Sequence, residues 1–281
     1  ERVLGALAPH CTHWCTVNEL NGYAVCGWLA GVHPPGKRSL GQTLSVIRHI
    51  LVAHTRASRL IRAAFAERTE KPTISIAFNY IWFCSRGWSS PLSSIVASFL
   101  NFFWNFCGND ALVYGRFSLF PFNFHLVACL FGWRDDILAL QGTIDVLAVN
   151  HYYRAVVNFS FDIGAEEPAS ATELKLQLPF RLVMNASSIP TFEKTDMSWD
   201  ITPSSLYMVL VSVWDRYQMP IWITESGIAD GEEDQTRRIR YMAAVLTVLE
   251  ELVARGVDLR GYLVWTLLDN FEWAEGFRPR F

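Results

Sequence analysis

Five short, nearly all-apolar runs punctuate the chain, at residues 13–18, 73–80, 143–150, 220–224 and 261–268. No other feature restricts its fold as much. A run such as "TISIAFNY" is rich in β-formers and mostly apolar, the pattern of a strand covered on both faces. Between the runs lie longer segments of helical period. Leu40, Leu44, Ile47, Leu51, Leu60 and Ile61 fit one helical stripe over about 40–66. A helix is expected at 203–217, after Thr202-Pro203, and another at 232–255, closed by Gly256. The region 92–140 is apolar and largely helical in pattern, and 151–200 has little periodicity and reads as a long loop. Strands alternating with helices mean parallel βαβ units in an α/β fold. With 281 residues, 51% of them hydrophobic, the chain can bury a sizeable core, and we expect a single domain over 1–281.

A doubly wound sheet and a barrel both fit that rhythm. The polar residues favour the barrel. Asn18 and Glu19, Asn79, Asn150, Glu225 and Trp265 fall at or near the C-terminal ends of their strands. Active sites of (β/α)8 barrels gather at that rim, built from several strands. No glycine-rich phosphate fingerprint follows any strand.

Composition excludes several classes. A net charge of −3 provides neither a basic footprint for nucleic acid nor a polybasic membrane signal. Residues 87–109 carry no charge and imitate a membrane span, but Pro91, several serines, Asn101, Asn105 and Asn109 interrupt them. A buried helix suits them better. The six cysteines are scattered and form no disulfide framework, which points to a reducing, cytoplasmic setting. His10, Cys11, His13 and Cys15 cluster, but no second ligand pair follows at finger-like spacing, so strand packing is expected there and not a metal site. The opening "ERVLGALAPH" lacks the features of a signal peptide and reads as the tail of an amphipathic helix.

Glu19 and Glu225 each end a predicted parallel strand, so a closed sheet would bring both to one rim. Two carboxyls across a cleft suit glycosidic bond cleavage. One donates a proton to the leaving oxygen, and the other attacks the anomeric carbon or activates water. A separation of about 5–5.5 Å means retention and about 6.5–9.5 Å inversion, and sequence spacing does not choose between them.

The wording of the motifs goes further. "WCTVNEL" resembles the W-x-T-x-N-E-P motif of glycoside hydrolase family 1, the β-glucosidase family. "ITESG" resembles its I-T-E-N-G, "NHYY" its N-Y-Y, and "WTLLDNFEWAEGFRPRF" its W-S-L-L-D-N-F-E-W-x-x-G-[FY]-x-x-R-F. "GVHPPG" and "LVAHTRA" also resemble the family's loop and helix after the first glutamate. All occur in family order, and the resemblance is weakest over 80–140. It implies a retaining β-glycosidase acting on small β-glycosides, needing no cofactor. It also implies roles: Glu19 the acid/base, Glu225 the nucleophile, Asn18 the partner of the sugar 2-hydroxyl, and Tyr152 the donor to the nucleophile. Glu272 would read sugar hydroxyls beside Trp273, Trp265 would be the platform under the ring, and Phe281 an aromatic near the glycone pocket. Outside this motif Trp265 and Trp273 would be read as core, and Tyr152 as loop packing.

Four positions depart from the pattern: Leu20 for proline, Ser226 for asparagine, His151 for the first tyrosine of N-Y-Y, and Asn21 near a common aglycone-side tryptophan. The resemblance also places Glu19 at the end of the fourth strand of eight. It thus implies an incomplete (β/α)8 TIM barrel, holding about strands 4 to 8 and lacking three βα units and the last helix. Such a chain is expected to be inactive alone or to depend on a complementing chain or a second copy.

Overall fold

The computed structural model describes residues 2–85, 91–116, 132–160, 173–177, 181–185, 192–231 and 235–281. Its centre is a parallel sheet of β1 (His13–Asn18), β2 (Thr73–Ser85), β3 (Leu147–Ser160), β6 (Ile221–Ser226) and β7 (Leu259–Val264), in that spatial order. Short α1 (Arg2–Leu7) precedes β1, and α2 (Leu20–Ala24) and α3 (Leu40–Ala64) follow it. The connection from β2 to β3 holds α4 (Pro91–Asn101), a π-helical turn at Phe102–Phe106, α5 (Cys107–Tyr114) and α6 (Arg134–Leu138). Helices α7 (Pro203–Tyr217) and α8 (Thr236–Ala254) flank β6.

The apolar runs become strands because helices cover their outer face. Ile76, Phe78 and Tyr80 of β2, Leu147 and Val149 of β3, and Ile221 and Ile223 of β6 are buried in one core with Leu206, Val209, Leu210 and Val213 of α7 and Tyr241, Val245 and Leu252 of α8. Each such aliphatic side chain contributes about 2 kcal/mol by leaving water. At Gly108 on α5 a Cβ would lie 2.6 Å from the Phe78 ring, so only glycine lets helix and strand approach this closely. Helix α7 opens on Pro203, whose missing N–H is harmless in the first turn, and ends at Gln218 in the left-handed region.

The sheet is curled. His13 on β1 and Trp222 on β6 lie three strands apart, which is roughly 14 Å in a flat sheet at ~4.8 Å per strand. Their rings are 5.2 Å apart across the concave face. The middle of that face is lined by small residues, Ser75, Ala77 and Ala148. Five parallel strands in this curl make half of a (β/α)8 barrel. Among the described residues, β1 bonds only to β2 and β7 only to β6. His13, Cys15, Leu263 and Val264 are exposed.

The interrupted apolar stretch has a specific use for its asparagines. Beyond the end of β1, the edge of β2 has no neighbouring strand among the described residues, and side-chain amides replace one. Asn21 donates to the Asn79 carbonyl (2.6 Å) and accepts from its N–H (3.1 Å). Asn105 does the same with Ile81 (2.9 and 3.1 Å), and Asn101 with Phe83 (2.6 and 3.0 Å). Asn109 donates to the Tyr80 hydroxyl at 2.7 Å. Alternate backbone pairs of one strand are thereby satisfied without a strand. No helix among the described residues is long and apolar enough to cross a membrane.

The loop expected over 151–200 is overturned in part. β3 continues to Ser160, and β4 (Glu173–Gln177) and β5 (Arg181–Asn185) add an antiparallel hairpin to its far half. The missed signal was "RAVVNFSF": its apolar residues support a strand that outlasts the barrel. Residues 117–131, in the second apolar stretch, and 232–234, in the acidic run before α8, lie outside the described residues. Asp230, just before that run, is buried and paired with Arg237 at 2.5 Å.

Candidate active site

At the C-terminal rim the strands lose regular register. Shifts fall between Cys15 and Asn18, Tyr80 and Trp82, Val149 and Asn150, and Ile223 and Ser226. Such bulges re-aim side chains where pairing ends. Glu19, directly after β1, has φ 51° and ψ 48°. A left-handed conformation costs a non-glycine residue about 1 kcal/mol, strain of a kind that concentrates at functional sites.

The polar side chains converge. Asn79 Nδ2 and Asn150 Nδ2 each donate to Glu19 Oε1 at 3.1 Å. Asn150 also donates to Asn18 Oδ1 at 3.0 Å and accepts from the Thr224 hydroxyl at 2.6 Å. Asn150 is fully buried and stands in register opposite Glu225. Tyr152 donates its hydroxyl to Glu225 Oε2 at 2.6 Å. One carboxamide on β3 therefore links the strand end that carries Glu19 to the strand that carries Glu225.

Electrostatics separates the two carboxyls. Burial pushes Glu19 above the usual carboxylate range, against the opposing bonds from Asn79 and Asn150. Burial also raises Glu225, but the Tyr152 hydroxyl opposes it, and the amides of Asn18 and Asn150 favour its charged form. Glu272 is pushed up to about 7 by burial and then by the charges of Glu19, Glu225 and Glu275. Three acids sharing one rim do not all ionise cheaply, and their titrations are coupled. Glu225 takes a hydroxyl donor from Tyr152, and Glu19 takes carboxamide donors from Asn79 and Asn150. A buried acid beside an ionised one is the arrangement for donating to a leaving oxygen while the other attacks carbon.

The remaining expected residues surround this group unevenly. Phe281 is buried and meets the Tyr152 ring edge-on at 5.6 Å. Trp265 follows β7, its N–H bonded to the Ser226 carbonyl at 3.0 Å. A Cβ on Gly227 would lie 1.9 Å from the Trp265 carbonyl oxygen, so the glycine after "TES" is what admits that backbone. Trp273 is 44% exposed, and its ring stacks on His33 at 5.0 Å.

A scan of family models matches residues 2–281 to "Glycosyl hydrolase family 1". The chain belongs to glycosyl hydrolase family 1. It is 31% identical over 283 residues to "Beta-glucosidase A" of Thermotoga maritima, covering 96% of this chain and 57% of that protein. It is 29% identical over 286 residues to "Beta-galactosidase" of Saccharolobus solfataricus, covering 95% and 49%. Among solved structures, the "Thermotoga maritima family 1 glycoside hydrolase complexed with a cyclophellitol analogue transition state mimic" superposes with a TM-score of 0.81 at 28% identity, covering all of this chain and 60% of that one. The chain thus spans less than two thirds of the length of these relatives.

Each departure from the family 1 motifs has a local partner. Leu20 is buried in the core at the start of α2. The Ser226 hydroxyl is 2.8 Å from the Tyr241 hydroxyl of α8. His151 bridges the Tyr80 carbonyl (2.9 Å) and the Ser205 hydroxyl (2.8 Å), and burial lowers its pKa to about 4, so it is neutral. His54 is likewise buried between the Thr16 and Thr143 hydroxyls.

Sequence reading missed two contributions. Asn79 and Asn150 were placed at the rim without a task, although an amide beside a carboxylate on neighbouring strands is a visible signal. Trp199, whose ring is 4.5 Å from Tyr153, 6.2 Å from Tyr152 and 6.3 Å from Phe281, lay in the supposed loop.

Proposed function

We propose that the protein is a retaining β-glycosidase hydrolysing terminal β-D-glucosyl or β-D-galactosyl residues of small glycosides. Glu225 attacks the anomeric carbon, and Glu19 protonates the departing oxygen. Glu19 then takes a proton from water, which attacks the glycosyl-enzyme and releases Glu225. Tyr152 holds the Glu225 oxygen that is not attacking, Asn18 binds the sugar 2-hydroxyl, and Glu272 reads further hydroxyls. Trp265 lies under the ring, with Trp273 and Phe281 as aromatic walls. The observation that carries this reading is the shared Asn150 carboxamide, bonded to Glu19 and opposite Glu225, whose own donor is Tyr152. We place the work in one domain, 1–281, in a reducing cytoplasmic setting, with no cofactor.

A second reading rests on the outer strands β1 and β7, each bonded to a single neighbour among the described residues. In that reading the chain is a non-catalytic carbohydrate-binding or scaffold relative, or works only with a complementing chain or second copy. An aryl β-glucoside assay of the chain and of Glu225→Ala separates them. For a competent site the variant loses about 10⁴-fold or more in rate. Equal rates from both proteins would remove the enzyme claim for this chain.

A further inference from the structure

Asn21 is the residue of the amide ladder nearest the chemistry, and it is where this chain departs from its family's motif. Its carboxamide is fully engaged. Oδ1 accepts from the Asn79 N–H, and Nδ2 donates to the Asn79 carbonyl and to the Trp104 carbonyl at 3.3 Å. It therefore has no donor left for a ligand. It grips both backbone groups of the residue whose side chain donates to Glu19. Ala77, two residues before Asn79, accepts from the Glu19 N–H at 2.9 Å, and Asn79 itself bonds Glu19 through its side chain. Among the described residues no strand pairs with Asn79 on that side, and Asn21 takes both of its backbone groups there.

We propose that Asn21 is a positioning residue: by pairing with both backbone groups of Asn79, it aims the Asn79 carboxamide at Glu19 and holds the acid/base in its geometry. The inference rests on the reading of Glu19 as acid/base, but its physical core is a coupling between two side chains. The Asn79 bond favours the ionised form of Glu19. Other groups facing Glu19 are Cys26 after α2, Tyr152 and Tyr153 on β3, Glu225 on β6 and Glu272 after β7. None of these has a hydrogen bond to Asn21 in the structure, so removing the Asn21 amide leaves them in place.

The test is a ¹³C carboxyl titration of Glu19 in the parent, Asn21→Leu, Asn79→Ala and the double variant. It needs no turnover, so it stands apart from the glycosidase assay. Losing the Asn79 bond raises the Glu19 midpoint by about one unit, and Asn21→Leu raises it by about half a unit. The double variant matches Asn79→Ala alone, because Asn21 acts only through Asn79. Asn21→Gln, which keeps a carboxamide, restores part of the shift. An unmoved midpoint in a folded Asn21→Leu, or additive shifts in the double variant, would overturn the proposal. So would the failure of both Asn21 variants to fold, which would make the ladder a stability element only.

Discussion

The two sides of the candidate site are built differently. On one side, β1, β3 and β6 bring Asn18, Glu19, Asn150, Tyr152 and Glu225 into a hydrogen-bonded mesh centred on the buried Asn150. On the other, the segment after β7 carries Glu272 and Trp273 with little beneath it: Leu267 is 93% exposed, and Phe271 and Phe277 are also open to solvent. The mesh is fixed by strands whose opposite faces pack on helices. The loop is tethered by isolated contacts, a His33 ring under Trp273 and the Trp265 backbone against Gly227. The strand-borne part of the candidate site is therefore held by the sheet, and the segment after β7 is held more loosely.

The contrast predicts unequal costs. Asn150→Ala should be the most damaging, because it removes a fully buried carboxamide that bonds Asn18, Glu19 and the Thr224 hydroxyl together. We expect a loss of about 3 kcal/mol in urea unfolding. Gly227→Ala comes next, at about 2 kcal/mol, since the added carbon meets a backbone oxygen that has to move, and Trp265 fluorescence should change with it. Trp273→Ala should cost less than about 1 kcal/mol. If it matched Asn150→Ala under the same denaturant, the distinction between mesh and loop would be gone.

The smallest effect is a slope. Glu272 is raised to about 7 in the folded protein from an ordinary value near 4.5, so the native state binds its proton more tightly. Its contribution to stability is full below about 4.5 and is lost as pH rises through about 7. His54 and His151, both lowered to about 4, act in the opposite sense: their contribution is present above about 6.5 and lost as pH falls towards 4. Thermal midpoints recorded between those limits should therefore decline less steeply with rising pH, or climb more, in Glu272→Gln than in the parent. Parallel curves would mean that the loop acid does not feel Glu19 and Glu225.

Much of this was legible beforehand. The apolar runs located all five parallel strands, and in β2, the first half of β3 and β6 that continuous hydrophobic signature reflects burial. The placement of Glu19 and Glu225 at strand ends, with the family motifs around them, named the two carboxyls. The far half of β3 and the β4–β5 hairpin were not legible, because strands paired outside the barrel need no such continuous run. Nor was the use of Asn101, Asn105 and Asn109. In sequence they looked like interruptions of an apolar helix; in the structure Asn101 and Asn105 pair with the edge of β2, and Asn109 bonds the Tyr80 hydroxyl.

By itself the sequence determined the kind of fold and the family, because hydrophobic period and motif wording are local properties of the chain. Only the tertiary structure decided how differently the two acids are surrounded. That difference arises from burial and from donors on other strands, Asn79, Asn150 and Tyr152, which reach Glu19 and Glu225 only once the sheet has curled.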